Sequence, residues 1–408
     1  MKVLHIITGL GVGGAEQQLR LLLRQLPVRC DVITLTAPGT VAAGIRADGT
    51  RVTHVGMTGN LDLTVMPLLV HLIREGGYDV VHTHLYRACL YGRIAARLAG
   101  VRTIVATEHS LGEDTIEGRP LTLGVRALYL AAERLGCATV AVSNTVAQRL
   151  RRWGVRARRL HIVPNGIDAR RFRFDPAART AARARLGIPA DAFVAGGVGR
   201  LVPGKHFETL VQAVAQLPDA RLLLAGDGPE REALAATADT LGALDRVHFL
   251  GECDGVVAPA GGDGLEIPDV LAAMDVFVSP SAEESFGLAM LEALAAGLPV
   301  LYVTCPAIDD LPPAEAPGAR RISTSAAELA VVLREYRDAG AARLPVPPVV
   351  DHYDIARSAE RLLAVYHAVT GTTPLPAPAP TAVSVPVSAP ATDPAPAPEP
   401  QPIPLATP

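Results

Sequence analysis

Two stretches of this chain repeat one design, and together they restrict the fold more than any other feature. The first, LHIITGLGVGGAEQQL (residues 4–19), runs from a β-branched segment through glycines into a helical pattern. The second, FVAGGVGRL from Phe193, opens in the same way at Gly197. A strand that enters a glycine loop and leaves as a helix is the opening unit of a doubly wound parallel sheet. Around each opening, short apolar runs alternate with longer helical patterns. VLHIIT, CDVITLT, VTHVG, DVVHTH, TIVATEH, TVAVS and LHIVPNG come first, then FVAGGVGRL, RLLLAG, RVHFLG, DVFVSP and PVLYVT. Helical patterns such as GGAEQQLRLLLRQL and RACLYGRIAARLAG lie between them. This alternation predicts an α/β chain of two similar domains that face a shared cleft.

Gly9, Gly11 and Gly14 also fit the dinucleotide fingerprint G-x-G-x-x-G, so a nicotinamide cofactor has to be considered. Such a site needs a carboxylate near the end of the second strand to hold a ribose. That strand, CDVITLTAPG, ends in Thr34, Thr36 and Ala37, with no acid. The glycines are better suited to close backbone approach at the cleft.

Composition narrows the class. With 408 residues, 49% hydrophobic and 19% charged, the chain can bury two substantial cores. A net charge of −3 argues against a dedicated nucleic-acid binder. The charge is uneven: the first 170 residues are basic and the remainder acidic. Cys30, Cys89, Cys137, Cys253 and Cys305 are scattered without C-x-x-C spacing, which is cytosolic usage. MKVLHIIT lacks the apolar stretch of a signal peptide, and no run is long enough to span a membrane. A cytoplasmic protein is expected. From Thr373 the sequence collapses to Pro, Ala, Thr and Val, a composition predicted to remain extended and disordered.

Two constellations carry chemistry. In SPSAEESFGLAMLEALAAGLPVL (279–301), Glu284 and Glu292 are separated by seven residues, with a helical pattern from Phe286 that Gly297 and Pro299 end. Glu284 is thus predicted just before a helix and Glu292 two turns along it, both able to accept hydrogen bonds from a polyol. The free N–H groups of Phe286, Gly287 and Leu288 at the helix start suit an anion or a sugar oxygen. The bland alternative makes both glutamates solvated, Ser285 an N-cap and Glu283 an exposed neighbour. The second constellation is GGVGRLVPGKHFETLVQAV (196–214). Arg200 follows the glycines, and a Pro-Gly turn delivers Lys205 to a helix start, the make-up of a diphosphate site. Of the 38 Lys+Arg residues only Lys2 and Lys205 are lysines, so the residue at 205 departs from the usage of the chain. A solvated pair is the alternative there.

Other arrangements compete with these. His82, His84, His109 and Glu108 fall at predicted strand ends and could be taken for metal ligands. No G-x-S-x-G elbow supports a serine hydrolase. VSNTVAQRLRRWGVRARRLH (142–161) is predicted as a helix with six arginines around the single Trp153. Its face could rest on anionic lipid headgroups or simply be solvated.

PNGID (164–168), GRLVPGK (199–205), LLAGDGPE (223–230) and E-SFGLAML-E (284–292), with GGAE (13–16), VVHTH (80–84) and TEHS (107–110), stand in the order found in retaining GT-B glycosyltransferases of family 4. The chain resembles that family over about residues 1–370. The resemblance implies a GT-B fold of two Rossmann-like domains: 1–168 on the acceptor side and 169–350 holding the donor. A C-terminal helix (351–372) would cross back to the first domain, before the tail 373–408. It implies a metal-independent transferase, without a resident cofactor, that uses a nucleoside-diphosphate sugar of UDP or GDP type as co-substrate. Arg200 and Lys205 would hold the diphosphate and Glu284 the sugar hydroxyls, with Phe286, Gly287 and Leu288 nearby. Glu292 would hold the ribose, His109 would stand beside the sugar, and Gly13 and Gly14 would let the first loop approach. The acceptor would be a hydroxyl on a glycan, a lipid-linked sugar or a small molecule; the basic arginine-rich face, rather than the resemblance, offers peripheral contact with the inner face of an anionic membrane, with a solvated face as its alternative. Two departures stand out: TCPAIDDLPP replaces the family's Gly-Gly loop after PVLYV, and the 252–270 connection is long. A same-fold phosphorylase or epimerase, or a catalytically idle binding subunit, are the alternatives.

Overall fold

A computed structural model describes residues 1–113, 115–117, 119–253, 264–340 and 342–372; most of the long 252–270 connection, and the tail from 373, lie outside the described residues. In the first lobe the strands are β1 (Lys2–Ile7), β2 (Arg29–Thr34), β3 (Arg51–His54), β4 (Val80–His84) and β5 (Ile104–Glu108). A small antiparallel pair, β6 (Thr115–Ile116) and β7 (Arg119–Pro120), precedes β8 (Ala138–Ala141) and β9 (Leu160–Ile162). Seven of them form one parallel sheet in the order β3-β2-β1-β4-β5-β8-β9. The second lobe carries β10 (Phe193–Val198), β11 (Ala220–Ala225), β12 (Val247–Gly251), β13 (Val276–Ser279), β14 (Val300–Tyr302) and β15 (Ala319–Arg321). Their order is β12-β11-β10-β13-β14-β15, again parallel. In each sheet the winding reverses beside the first strand, at β1–β4 and at β10–β13. Helix-covered parallel strands are buried on both faces, which is why β4 and β5 are buried along their whole length.

All twelve apolar runs of the sequence become strands, and the connector at 169–192 holds one α-helix, Pro176–Arg185, capped by Asp175, after a short 3-10 turn, Ala169–Phe172. That helix is pinned by ions. Asp275, 6% exposed, accepts from Arg179 at 2.6 Å and from Arg183 at 2.9 Å. Arg179, Arg183 and Arg343 also donate to carbonyls at the end of the helix Ile267–Ala273.

Three local readings differ. The helix expected from Phe286 begins at Leu288, because Gly287 adopts φ +108 and interrupts the turn. The long arginine-rich helix is shorter, Asn144–Trp153, and stops at Gly154 with φ +111. Trp153 is buried edge-on against Tyr129, and Arg149 is turned inward, so the aromatic of that expected lipid-facing surface lies in the core.

The helix Ile355–Thr370, capped by the Asp354 side chain, packs on the first lobe: Leu362, Val365 and Tyr366 share a core with Val3, Leu22, Val80, Val140 and Val163. The two interlobe crossings lie side by side. Ile167 N donates to Tyr353 O at 2.9 Å and Ile355 N to Ile167 O at 3.1 Å, and a Cβ on Gly166 would stand 2.6 Å from Ile355 Cα.

Candidate active site

Apart from the crossings, contacts between the lobes among the described residues gather near the carboxyl ends of the strands, where open α/β sheets bind their ligands. After β1, a Cβ on Gly14 would stand 3.4 Å from Leu288 Cδ1, so the glycine loop lies against the helix Leu288–Ala295 of the other lobe. After β5, Glu113 N donates to Glu283 Oε1 at 2.5 Å, and Arg149 adds an ion pair to the same oxygen at 2.9 Å. After β8, Ser143 Oγ donates to Ser285 O at 2.7 Å and Asn144 N to Asp310 Oδ2 at 3.0 Å. Glu283, read in the sequence as an exposed neighbour, is therefore a tie between lobes.

Within the second lobe the two motifs meet. Lys205 lies in the turn Pro203–Lys205, ahead of the helix Phe207–Ala215, and its ammonium pairs with the Glu284 carboxylate. Ser281 Oγ sits between the segments, 3.2 Å from Gly204 O and 2.9 Å from Glu283 O. Arg200 is exposed two residues past the end of β10 and acts electrostatically on Glu16 of the first lobe. The backbone is tightly specified here. Leu201 N donates to Asp227 O at 3.0 Å, and a Cβ on Gly226 or Gly228 would collide with the Gly199 or Leu201 carbonyl. A Cβ on Gly287 would collide with Cys305 Sγ. Cys305 thus occupies the loop where the family pattern has glycines, and its thiol lies 3.5 Å from Phe286 O, beneath the turn.

Two carboxyls here are displaced from their ordinary range. Burial pushes Glu16 up to about 7, with nearby Glu117 adding to the rise and Arg200 opposing it. Glu292 is also pushed up to about 7 by burial, opposed by Arg171. Glu16 belongs to the GGAE segment, where the family pattern implies a role only for the glycines; its burial comes from the fold and is not visible in the spacing. Glu292 stands on the same helix as Leu288, and among the described residues no hydrogen bond joins it to Glu284.

His109, 6% exposed, sits just beyond β5 and bonds to the ring of His84 at 3.1 Å. It makes no hydrogen bond to Lys205 or Glu284 among the described residues. His5, His82 and His84 offer ring nitrogens within 4.8 Å of one another, the arrangement closest to a metal-ligand set among the described residues. Both nitrogens of His82 and of His84 are engaged in hydrogen bonds, so the set is a bonded network, not three lone pairs converging on an ion. Glu108 is fully buried beside Arg93 and Tyr129, and burial pushes it to about 8. It belongs to the core.

Comparison with known proteins accounts for both lobes. Residues 12–171 match Glycosyltransferase Family 4, and residues 178–319 match Glycosyl transferases group 1. D-inositol 3-phosphate glycosyltransferase 1 of Catenulispora acidiphila is 31% identical over 370 residues, covering 84% of this chain and 86% of that protein. UDP-Gal:alpha-D-GlcNAc-diphosphoundecaprenol alpha-1,3-galactosyltransferase of Escherichia coli is 29% identical over 248 residues, 59% of this chain and 61% of its own length. In structure, Anabaena HepE, solved with UDP and glucose, superposes with a TM-score of 0.77 at 22% identity, covering 90% of this chain and 100% of that one.

Proposed function

The chain belongs to glycosyltransferase family 4 and has the GT-B fold, and from that premise we propose that it moves a sugar from a nucleoside diphosphate to a hydroxyl acceptor, with retention and without a metal. The observation that carries this reading is the Lys205–Glu284 pair at the carboxyl edge of the second sheet, facing the glycine loop of the first lobe. A cation for the diphosphate and a carboxylate for sugar hydroxyls stand at one point, where a sugar nucleotide changes from phosphate to carbohydrate.

Breaking the anomeric C–O bond leaves negative charge on the distal phosphate. Arg200, Lys205 and the N–H groups at 286–288 are the donors that would stabilise it as it develops. The acceptor oxygen bonds to the anomeric carbon from the side the phosphate leaves, and the acceptor proton passes to the departing phosphate oxygen. Glu292 would hold the ribose, and His109, Gly13 and Gly14 would close on the sugar from the first lobe. UDP-sugars are the first donors to test, since the Anabaena neighbour is described in complex with UDP-glucose, with GDP-sugars second. Lipid-linked sugars are the first acceptors, in keeping with the basic first lobe and the name of the Escherichia coli relative.

The test is a panel of UDP- and GDP-sugars incubated with the full chain, with and without lipid-linked and free sugar acceptors, in the presence of EDTA. The expected result is donor consumption with the product anomer matching the donor. Lys205→Ala and Glu284→Ala should each lower turnover by roughly a hundredfold or more, the loss typical of removing a transition-state contact. An inverted product, or near-normal turnover in both variants, overturns the reading.

A further inference from the structure

The first sheet ends at β9, and no strand pairs beyond it among the described residues. Proteins commonly blunt such an edge with charged side chains, because an open strand recruits partners. β9 instead presents Ile162, 36% exposed. Along it runs a groove of about 520 Å³, lined by β9 and Val163 together with Ala364, Val365 and Ala368 of the helix Ile355–Thr370. Arg151 and Arg361 also line the groove and are the only residues bearing a formal charge that do. Arg152 and Arg159 are paired with Glu113 and Glu133, whereas Arg151 and Arg361 have no ion pair among the described residues. Arg158, in the turn before β9, and Arg357, one turn ahead of Arg361, are exposed as well. Against them the helix carries a single acid, Glu360.

An apolar floor beside unpaired cations fits an anionic amphiphile. Two kinds of partner have that chemistry: an acidic peptide laid along the edge strand, or a lipid surface. The backbone of β9 decides between them. Peptide addition draws its affinity from a ladder of main-chain hydrogen bonds. Val163 N donates to Ala141 O at 3.0 Å, and backbone groups alternate sides along a strand, so Ile162 turns its N–H to the open edge. Leu160 N is already taken by Ala157 O, and Pro164 has no N–H. The edge thus offers a peptide one donor, too few for a ladder. A lipid needs none.

We infer that the groove between β9 and the helix Ile355–Thr370 docks the protein on an anionic phospholipid surface, with Arg151 and Arg361 on headgroup phosphates and Ile162, Ala364 and Ala368 at the acyl boundary. The arginine-rich stretch 142–161 thus keeps a lipid-facing role, although Trp153 is in the core. Its apolar half is supplied by Ile162 and by the last helix of the first lobe. The inference is independent of sugar transfer, since neither donor nor acceptor enters it.

The test is flotation of the full-length protein with vesicles of phosphatidylglycerol mixed into phosphatidylcholine, against phosphatidylcholine alone. Binding is expected to the mixed vesicles, and to weaken as salt is added. Arg151→Ala/Arg361→Ala should lower vesicle affinity by about thirtyfold, the effect of two arginines at an anionic leaflet. Ile162→Ser should lower it by about fivefold through lost apolar burial. Arg46→Ala/Arg51→Ala makes the same change of charge at β3, the opposite edge of the same sheet, and should bind as the wild type does. Failure of the wild type to float with the mixed vesicles overturns the inference. Equal losses in the two double variants overturn it too, because net charge alone would then explain the binding. So does Ile162→Ser that binds like the wild type, since the groove would then read phosphate without lipid. Should Arg151→Ala/Arg361→Ala fail to fold, the wild type on the two vesicle compositions and Ile162→Ser still decide.

Discussion

Glu292 lends itself to a quantitative test. Its neighbours in the helix Leu288–Ala295 are apolar, and Met290, Leu291, Ala293 and Leu294 are buried. Burial raises its carboxyl from 4.5 to about 7. Below pH 4.5 the group is protonated in both the folded and the unfolded chain, and it costs nothing. Between these two pH values the unfolded chain loses its proton first, so stability falls as pH rises. Above pH 7 the folded state carries the full cost of a charge in that setting. At about 1.4 kcal/mol per pH unit, the gap amounts to about 3 kcal/mol. Glu292→Gln cannot ionise and escapes the penalty. Its Tm should match the wild type near pH 4.5 and exceed it at pH 8 by on the order of 4 °C for a domain of this size. The same change removes a charged acceptor for ribose hydroxyls, so KM for the sugar nucleotide should rise about tenfold. Thermal melts of both proteins from pH 4.5 to 8, with donor titrations at pH 8, make the comparison. Melting curves that stay parallel across that range would refute the reasoning.

Further changes probe other joints of the molecule. Asp275→Ala leaves Arg183 buried without its counter-charge and should cost about 3–5 kcal/mol in denaturant unfolding, with Asp275→Asn milder. Gly287→Ala forces a side chain into Cys305 at a positive φ; it should lose more than about 1 kcal/mol of stability and weaken donor use, whereas Gly204→Ala, whose added methyl meets open space, should do neither. Arg149→Ala cuts the Glu283 tie and should loosen lobe closure, seen as a larger radius of gyration in solution scattering with donor bound; an unchanged radius would assign the tie to local order alone.

Much of this architecture is written in local pattern. The alternation of β-branched runs and helices places all but three of the strands, because parallel strands under helices need continuous apolar sequence. β15 escapes that reading because its Ala-Arg-Arg sequence has no β-branched residue, and Arg320 and Arg321 are exposed. The helix start at Leu288 depends on a positive φ at Gly287, which no spacing rule encodes. Lys205 announces itself by the rarity of lysine, but its meeting with Glu284, 79 residues away, comes only with the fold. His5 and His84 are legible as strand residues, yet the hydrogen bonds that join them to His109 depend on register between strands. Arg149 reads as one solvated arginine among six because its inward turn is decided by Glu283 of the other lobe.

The helix Ile355–Thr370 means that the first lobe is not a contiguous stretch of the gene. A ribosome releasing residues 1–168 delivers a sheet whose Val3, Val80 and Val140 still await Leu362 and Tyr366. That apolar surface stays uncovered until the helix Ile355–Thr370 has been synthesised, after the whole of the second lobe, so the lobe that emerges first is finished after the lobe that follows it. A fragment cut at the connector should therefore aggregate unless the missing helix is supplied as a separate peptide or spliced on by circular permutation.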